Sequence, residues 1–144
     1  MSNCGGAQLP PEVVMNPEAG RGGLLIVTIR LESGQKLPFL MDCGTSGTFF
    51  DKAFEPKLGK AIGTNMIQSW GVKKESKVYV MPKLYLGGVP LMTGSEVQTY
   101  DFGGLNFNGH PIMGMLGYDT LRHYCIQLDF AAGKLRFLDD EMLC

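Results

Sequence analysis

Glycine and proline recur so often along this chain that only short helical candidates fit between them. Its 144 residues include 20 Gly and 8 Pro, distributed over the whole length rather than gathered in one linker. Between these breaks lie apolar runs of strand length, rich in β-branched and aromatic residues. Many tight turns joined to short apolar runs point to an all-β architecture. The length suits one domain with one core.

The runs can be placed in order. Leu24 to Leu31 (LLIVTIRL) reads as a strand and Glu32 to Gln35 as a turn. Lys36 to Met41 returns as a second strand that delivers the chain to Asp42. Pro38 within it calls for a sheet edge, or a position where the ladder needs no donor. Thr48 to Leu58 carries Phe49, Phe50 and Phe54, but Pro56 interrupts any helix, so a short irregular segment or single turn is expected. Asn65 to Trp70 and Lys77 to Met81 read as two arms of a hairpin with a polar tip from Gly71 to Ser76. Lys83 to Leu86 is a short strand turned by Gly87-Gly88, and Val89 to Tyr100 is mostly extended. Asp101 to Pro111 is a Gly- and Asn-rich loop. Ile112 to Leu116 is apolar and ends at Gly117, Tyr118 to Tyr124 has helical spacing, and Cys125 to Phe130 with Lys134 to Leu138 forms a closing hairpin. Residues 1–23 read as an extended N-terminal arm, 24–138 as the domain and 139–144 as a tail.

Composition narrows the function classes. The net charge of -1 and the ordinary charged fraction of 19% give no basic patch of the kind that nucleic acid or an anionic membrane would favour. No apolar run is long enough to span a bilayer, so a soluble domain is expected. Met1 to Pro11 lacks the basic and apolar regions of a secretory signal. Cys4, Cys43, Cys125 and Cys144 form no CxxC pair and no metal-type cluster with His110 and His123. They are too few for a disulfide framework in a domain this large. Cys125 opens an apolar strand and is expected as a small buried hydrophobe. With no Gly-rich phosphate loop and no metal-ligand spacing, neither cofactor nor metal is expected.

The chemistry concentrates at Asp42-Cys43-Gly44-Thr45-Ser46. An Asp after an apolar strand, followed by x-Gly, is by itself an ordinary strand-to-turn feature. A second motif changes its weight: Met113-Gly114-Met115-Leu116-Gly117, then a short helix, a strand, a Gly turn and a final strand. FLMDCGTSGTFFD and IMGMLGYDTLRHYCIQLDFAAGKLRF, in this order and with a hairpin between them, resemble the retropepsin-like aspartic proteases, particularly the single-lobed cellular and bacterial branch. The resemblance spans about Leu24 to Leu138.

That resemblance implies a retropepsin-like acid protease barrel with a flap hairpin and one short C-terminal helix. Met115-Leu116-Gly117 would pack beneath the Asp42 loop, with Asp42 catalytic and Cys43, Gly44, Thr45 and Gly117 shaping the loop. The hairpin would be the flap, with Trp70 and Gly71 near its tip over the substrate. The chain offers one convincing catalytic Asp loop, since Asp101-Phe102-Gly103 reads as a turn. The implied enzyme is therefore a homodimer in which two Asp42 carboxylates meet across a two-fold axis and hydrolyse a peptide or protein substrate. By resemblance to pepsin-like sequences, the Thr45 hydroxyl would donate to the outer oxygen of Asp42. Retroviral enzymes usually have Ala there, so an acidic pH optimum is expected. Bacterial relatives are often exported, which leans the expected compartment the same way.

Cys43 departs from the family, which usually has Thr or Ser tying the two catalytic loops together. A thiol is a weak donor, so lower activity or dimer stability is expected. This leaves an alternative reading as a catalytically weak or inactive dimeric interaction module. Tyr118 stands where retroviral sequences usually carry Arg, so their interface ion pair is not implied. Cys43 as a nucleophile with His110 or His123 has no local signature, and Ser46 lacks the G-x-S-x-G elbow.

Overall fold

A computed structural model of the chain describes residues 12–69 and 71–138. Its secondary structure is mostly strand. A short β1 (Val13–Val14) precedes β2 (Ile26–Leu31), β3 (Lys36–Met41) and β4 (Phe49–Asp51). A 3-10 turn over Lys52–Lys57 leads to the long hairpin of β5 (Gly63–Ser69) and β6 (Val72–Val80). Next come β7 (Leu84–Leu86), β8 (Val89–Pro90) and β9 (Glu96–Tyr100), then a small hairpin of β10 (Asn106–Phe107) and β11 (His110–Pro111). The chain closes with β12 (Gly114–Leu116), α1 (Tyr118–Leu121), β13 (Cys125–Asp129) and β14 (Lys134–Leu138).

Nine of these strands form one sheet in the order β5-β6-β9-β4-β12-β3-β2-β7-β8. The sheet is open, with β5 and β8 at its edges, and does not close into the expected barrel. β12 lies between β3 and β4, parallel to the first and antiparallel to the second. This insertion brings the second apolar motif against the strand that ends at Asp42. Pro38 therefore sits in an inner strand. Parallel pairing with β12 begins one residue later, at Gly114↔Phe39, and Pro38 contributes its carbonyl to the Met113 N–H at 3.0 Å.

Alternation along the strands assigns the two faces. Val27, Ile29, Leu37, Phe39, Phe50, Tyr79, Val97 and Leu116 point to the main core. Phe39 and Phe50 are fully buried and meet edge to face at 5.2 Å. Burying each such side chain is worth about 1.5–3 kcal/mol. Gly114 lies against the Phe39 ring, where a Cβ would come within 2.2 Å. Ile26, Leu40 and Ile112 form a second, smaller cluster with Phe102, Phe107 and Met115.

Several expectations change. The hairpin register runs to Ser69↔Val72, so its tip is a two-residue connection rather than the longer Gly71 to Ser76 stretch, which belongs largely to β6. Gly71 takes φ +77, a conformation open to Gly without steric cost. The helical segment is a single turn, because His123 and Tyr124 continue in 3-10-type bonds to Thr120 and Leu121. Cys125 is exposed rather than buried: β13 is an edge strand with β14 alone beside it.

The described part of the N-terminal segment is not an extended arm. β1 pairs with β14, and the chain then turns through Gly20 and Gly22. The Asn16 side chain holds that turn. It accepts from the Ile26 N–H at 2.8 Å and donates to the Leu24 carbonyl at 2.8 Å. Met15 and Ala19 are thereby buried in the main core.

Candidate active site

Asp42 is the residue at which β3 leaves the sheet. Its N–H still donates to the Leu116 carbonyl at 3.0 Å, so the parallel ladder fixes the backbone to the last residue. Beyond it the chain turns sharply. The Asp42 Oδ1 accepts from the Gly44 N–H at 2.9 Å, and Oδ2 accepts from the Thr45 hydroxyl at 3.0 Å. The Thr45 Oγ1 also lies 3.3 Å from the Met115 sulfur. Its single proton serves one acceptor at a time, and the carboxylate is both nearer and stronger. The exposed carboxylate is thus held at both oxygens by its own loop.

Gly117 wedges beneath that loop. A Cβ there would lie 2.1 Å from the Gly47 carbonyl oxygen and 2.8 Å from that of Thr45. Backbone bonds stitch the two motifs together around it. Tyr118 N–H donates to Thr45 O at 2.7 Å, and Asp119 N–H donates to Ser46 O at 3.2 Å.

A buried hydroxyl completes the joint. Thr48 is 1% exposed; its Oγ1 accepts from the Gly117 N–H at 3.2 Å and donates to Asp119 Oδ1 at 2.7 Å. Sequence reading missed Thr48 and Asp119. A Thr six residues after the Asp, paired with an Asp two residues after the Gly, becomes a signal only once the two motifs are known to touch.

A cleft of about 470 Å³ opens beside the loop. It is lined by Thr45, Phe49 and Met115, by Ile67 and Gln68 of β5, and by Tyr100, Phe102 and Leu105. Asp101 also borders it, with its Oδ1 turned back to accept from the Gly103 N–H at 2.8 Å, as the turn reading expects. Asp51 holds this side in place. Its Oδ2 caps the 3-10 turn at Ala53 N–H (3.1 Å), and its Oδ1 accepts from the Phe102 N–H at 3.1 Å.

The structure therefore brings Asp42, Gly44, Thr45 and Gly117 together. Cys43 is exposed on the same loop, and its thiol makes no hydrogen bond among the described residues. Gly71 lies at the tip of the β5–β6 hairpin, while Trp70 falls outside the described residues, as do Cys4 and Cys144. His123 is exposed, and His110 lies 3.7 Å from the Glu18 carboxylate. Among the described residues no group of His, Cys, Asp and Glu is placed to hold a metal, and no helix is long and apolar enough to cross a membrane.

No family model matches the chain. The curated proteins likewise contain no match. Among solved structures, the chain is similar to the crystal structure of a retropepsin-like aspartic protease from Rickettsia conorii. The match covers 88% of this chain and 87% of that one, with a TM-score of 0.59 and 17% identity. Coverage of nearly the full length of both chains makes this a likeness of whole folds and not of one hairpin. The chain has the retropepsin-like aspartic protease fold.

Proposed function

We propose that this protein is an aspartic endopeptidase that works as a homodimer, with Asp42 of each protomer contributing one carboxylate. The observation that carries the reading is the placement of Asp42. It is an exposed carboxylate, clamped at both oxygens, beside a peptide-sized cleft whose wall includes its own partner Thr45.

Peptide hydrolysis needs a base to activate water and an acid to protonate the carbonyl oxygen. Two carboxylates held close cannot both ionise easily, so they share one proton and divide the roles. The ionised carboxylate takes a proton from water while the protonated one donates to the carbonyl oxygen. A tetrahedral diol forms, and it collapses as the leaving nitrogen gains a proton and the C–N bond breaks. A single chain supplies one such loop, so the second copy completes the pair. The β5–β6 hairpin acts as the flap, with Gly71 at its tip. We place the domain at residues 24–138, with the described part of segment 1–23 packed onto it through β1, Met15 and Ala19, and segment 139–144 following.

The test is sedimentation analysis together with cleavage of a peptide library across acid pH, for wild type and Asp42→Asn. A dimer whose pepstatin-sensitive cleavage vanishes in Asp42→Asn is the expected result. Activity lost on thiol alkylation but retained in Asp42→Asn would replace this reading with Cys43 chemistry. A dimer that cleaves nothing in the library would favour the interaction-module alternative, for which the unpaired Cys43 thiol is the motive.

A further inference from the structure

Ile67 and Gln68 bring β5 to the cleft, yet β5 is an edge strand whose one sheet neighbour is β6. β6 in turn joins the rest of the sheet through β9, at Val78↔Gln98, Tyr79↔Val97 and Val80↔Glu96. The β5–β6 pairing runs on past that point, from Thr64↔Lys77 to Ser69↔Val72. Ile67 pairs with Lys74 and Gln68 with Lys73, so both cleft residues sit on the part of the hairpin that has left β9. A two-stranded ribbon has little stability of its own. Side chains at the fork therefore decide where this one lies.

A closed polar circuit stands at that fork. Ser76 is 2% exposed, and its hydroxyl donates to the Thr99 carbonyl at 2.8 Å, just beyond the last β6–β9 pair. The Lys77 carbonyl is a more distant acceptor, at 3.5 Å. Thr99 is 4% exposed, and its own hydroxyl donates to Glu55 Oε1 at 2.8 Å. Glu55 Oε2 lies 3.6 Å from the Lys77 ammonium, which returns the circuit to β6. Lys77 is half exposed, so the two hydrogen bonds carry more of the hold than the ion pair. Buried hydroxyls are costly unless paired, and both are paired within this circuit. Further out, the exposed Lys74 ammonium lies 5.5 Å from the centre of the Tyr100 ring, a weaker tether.

We propose that Ser76, Thr99 and Glu55 are positioning residues. They set how far the free part of the β5–β6 hairpin lifts from the sheet, and so where Ile67 and Gln68 meet a bound peptide. None of the three lines the cleft beside Asp42; they act through the hairpin. Their part in the reaction rests on the peptide-cleft reading above, whereas the joint itself is read from hairpin motion without any cleavage.

The test is amide exchange on the full chain at one pH, for wild type, Ser76→Ala, Thr99→Val, the double variant and Thr99→Ser. Each single loss is expected to speed exchange of the β5 amides and of Val72 to Lys77 about fivefold, and the double variant about tenfold or more. The amides of β2, β3 and β12 should stay within about twofold of wild type, and Thr99→Ser, which keeps the hydroxyl, should match wild type throughout. Peptide kinetics give the second readout: KM is expected to rise about fivefold in the double variant, with kcat changing less. Hairpin amides that keep their wild-type rates in the double variant overturn the proposal. So does an increase shared equally by β2, β3 and β12, which marks a general loss of stability, or a Thr99→Ser protein that behaves like Thr99→Val. Selective hairpin exchange with KM and kcat unchanged overturns the positioning role. A wild type that cleaves no peptide overturns the endopeptidase reading, while selective exchange still supports the joint.

Discussion

Replacing Gly117 by Ala should damage stability and activity together, and the structure sets the scale. The new Cβ would lie 2.1 Å from the Gly47 carbonyl oxygen and 2.5 Å from its carbon. Ordinary contact begins near 3.4 Å, so the loop would have to retreat by about 1.3 Å. Side chains can often yield that much by changing rotamer, at about 1–3 kcal/mol. Here the obstacle is backbone, tied by the Tyr118 and Asp119 N–H groups at 2.7 and 3.2 Å. The cost should therefore reach the upper end, about 3 kcal/mol. For a domain of this size that corresponds to a fall in Tm of roughly 10 °C. A displacement of about 1 Å at a positioned catalytic group can lower the rate on the order of 100-fold. Thermal unfolding and acid-pH kcat/KM of wild type and Gly117→Ala test both parts. Gly63→Ala serves as control, since nothing lies within 4 Å of its Cβ position. A Gly117→Ala protein that melts within about 2 °C of wild type would refute the close approach on which the site geometry depends.

Three further outcomes follow from the same contacts. Thr48→Val should cost about 1–3 kcal/mol in urea unfolding, because it strands the Gly117 N–H and the Asp119 carboxylate, whereas Thr48→Ser should recover most of the loss. Asp51→Ala removes the cap at Ala53 and the tether at Phe102; a loss of about 0.5–2 kcal/mol is expected. Steady-state kinetics on a peptide substrate should show KM rising more than kcat falls, because Phe102 lines the cleft. The β1–β14–β13 sheet should loosen in acid. A hydrogen bond from Lys134 holds Glu12 below its ordinary 4.5, and one from Arg136 holds Asp129 below its ordinary 3.8. Both carboxyls titrate lower in the folded chain than in the unfolded one. The stability they contribute is thus present above the ordinary values and lost as pH falls through the lowered ones. Protection factors of the β13 and β14 amides, corrected for the intrinsic exchange rate at each pH, should fall as the pH drops below the ordinary carboxylate range; unchanged protection factors would show that the ion pairs add nothing.

Much of the strand pattern was legible along the chain. Lys36–Met41 and Lys134–Leu138 keep their expected bounds, because alternating apolar residues between Gly-rich turns leave little choice of period or length. Elements fixed by distant partners were not legible. Gly71 to Ser76 looks like a polar tip because β6 is exposed over its first four residues, and it is a strand because β5 pairs along its length. Cys125 looks like a core residue, and it is exposed because β13 has a neighbour on one side alone. The N-terminal turn depends on Asn16 reaching Ile26, ten residues away, which no local propensity encodes.

The functional residues divide the same way. The sequence by itself determined that an Asp-x-Gly-Thr loop follows one apolar strand and that a second apolar strand ends in Gly. Both are local facts of residue type and order. It also determined that a hairpin lies between them. Tertiary structure alone decided that β12 slots in beside β3, so that Gly117 meets Gly47 and Thr48 binds Asp119 across 71 residues of chain. It alone joined Ser76, Thr99 and Glu55 into one circuit where β6 leaves β9. Parallel neighbours and inserted strands are chosen by the packing of the whole sheet, and short-range spacing carries no record of that choice.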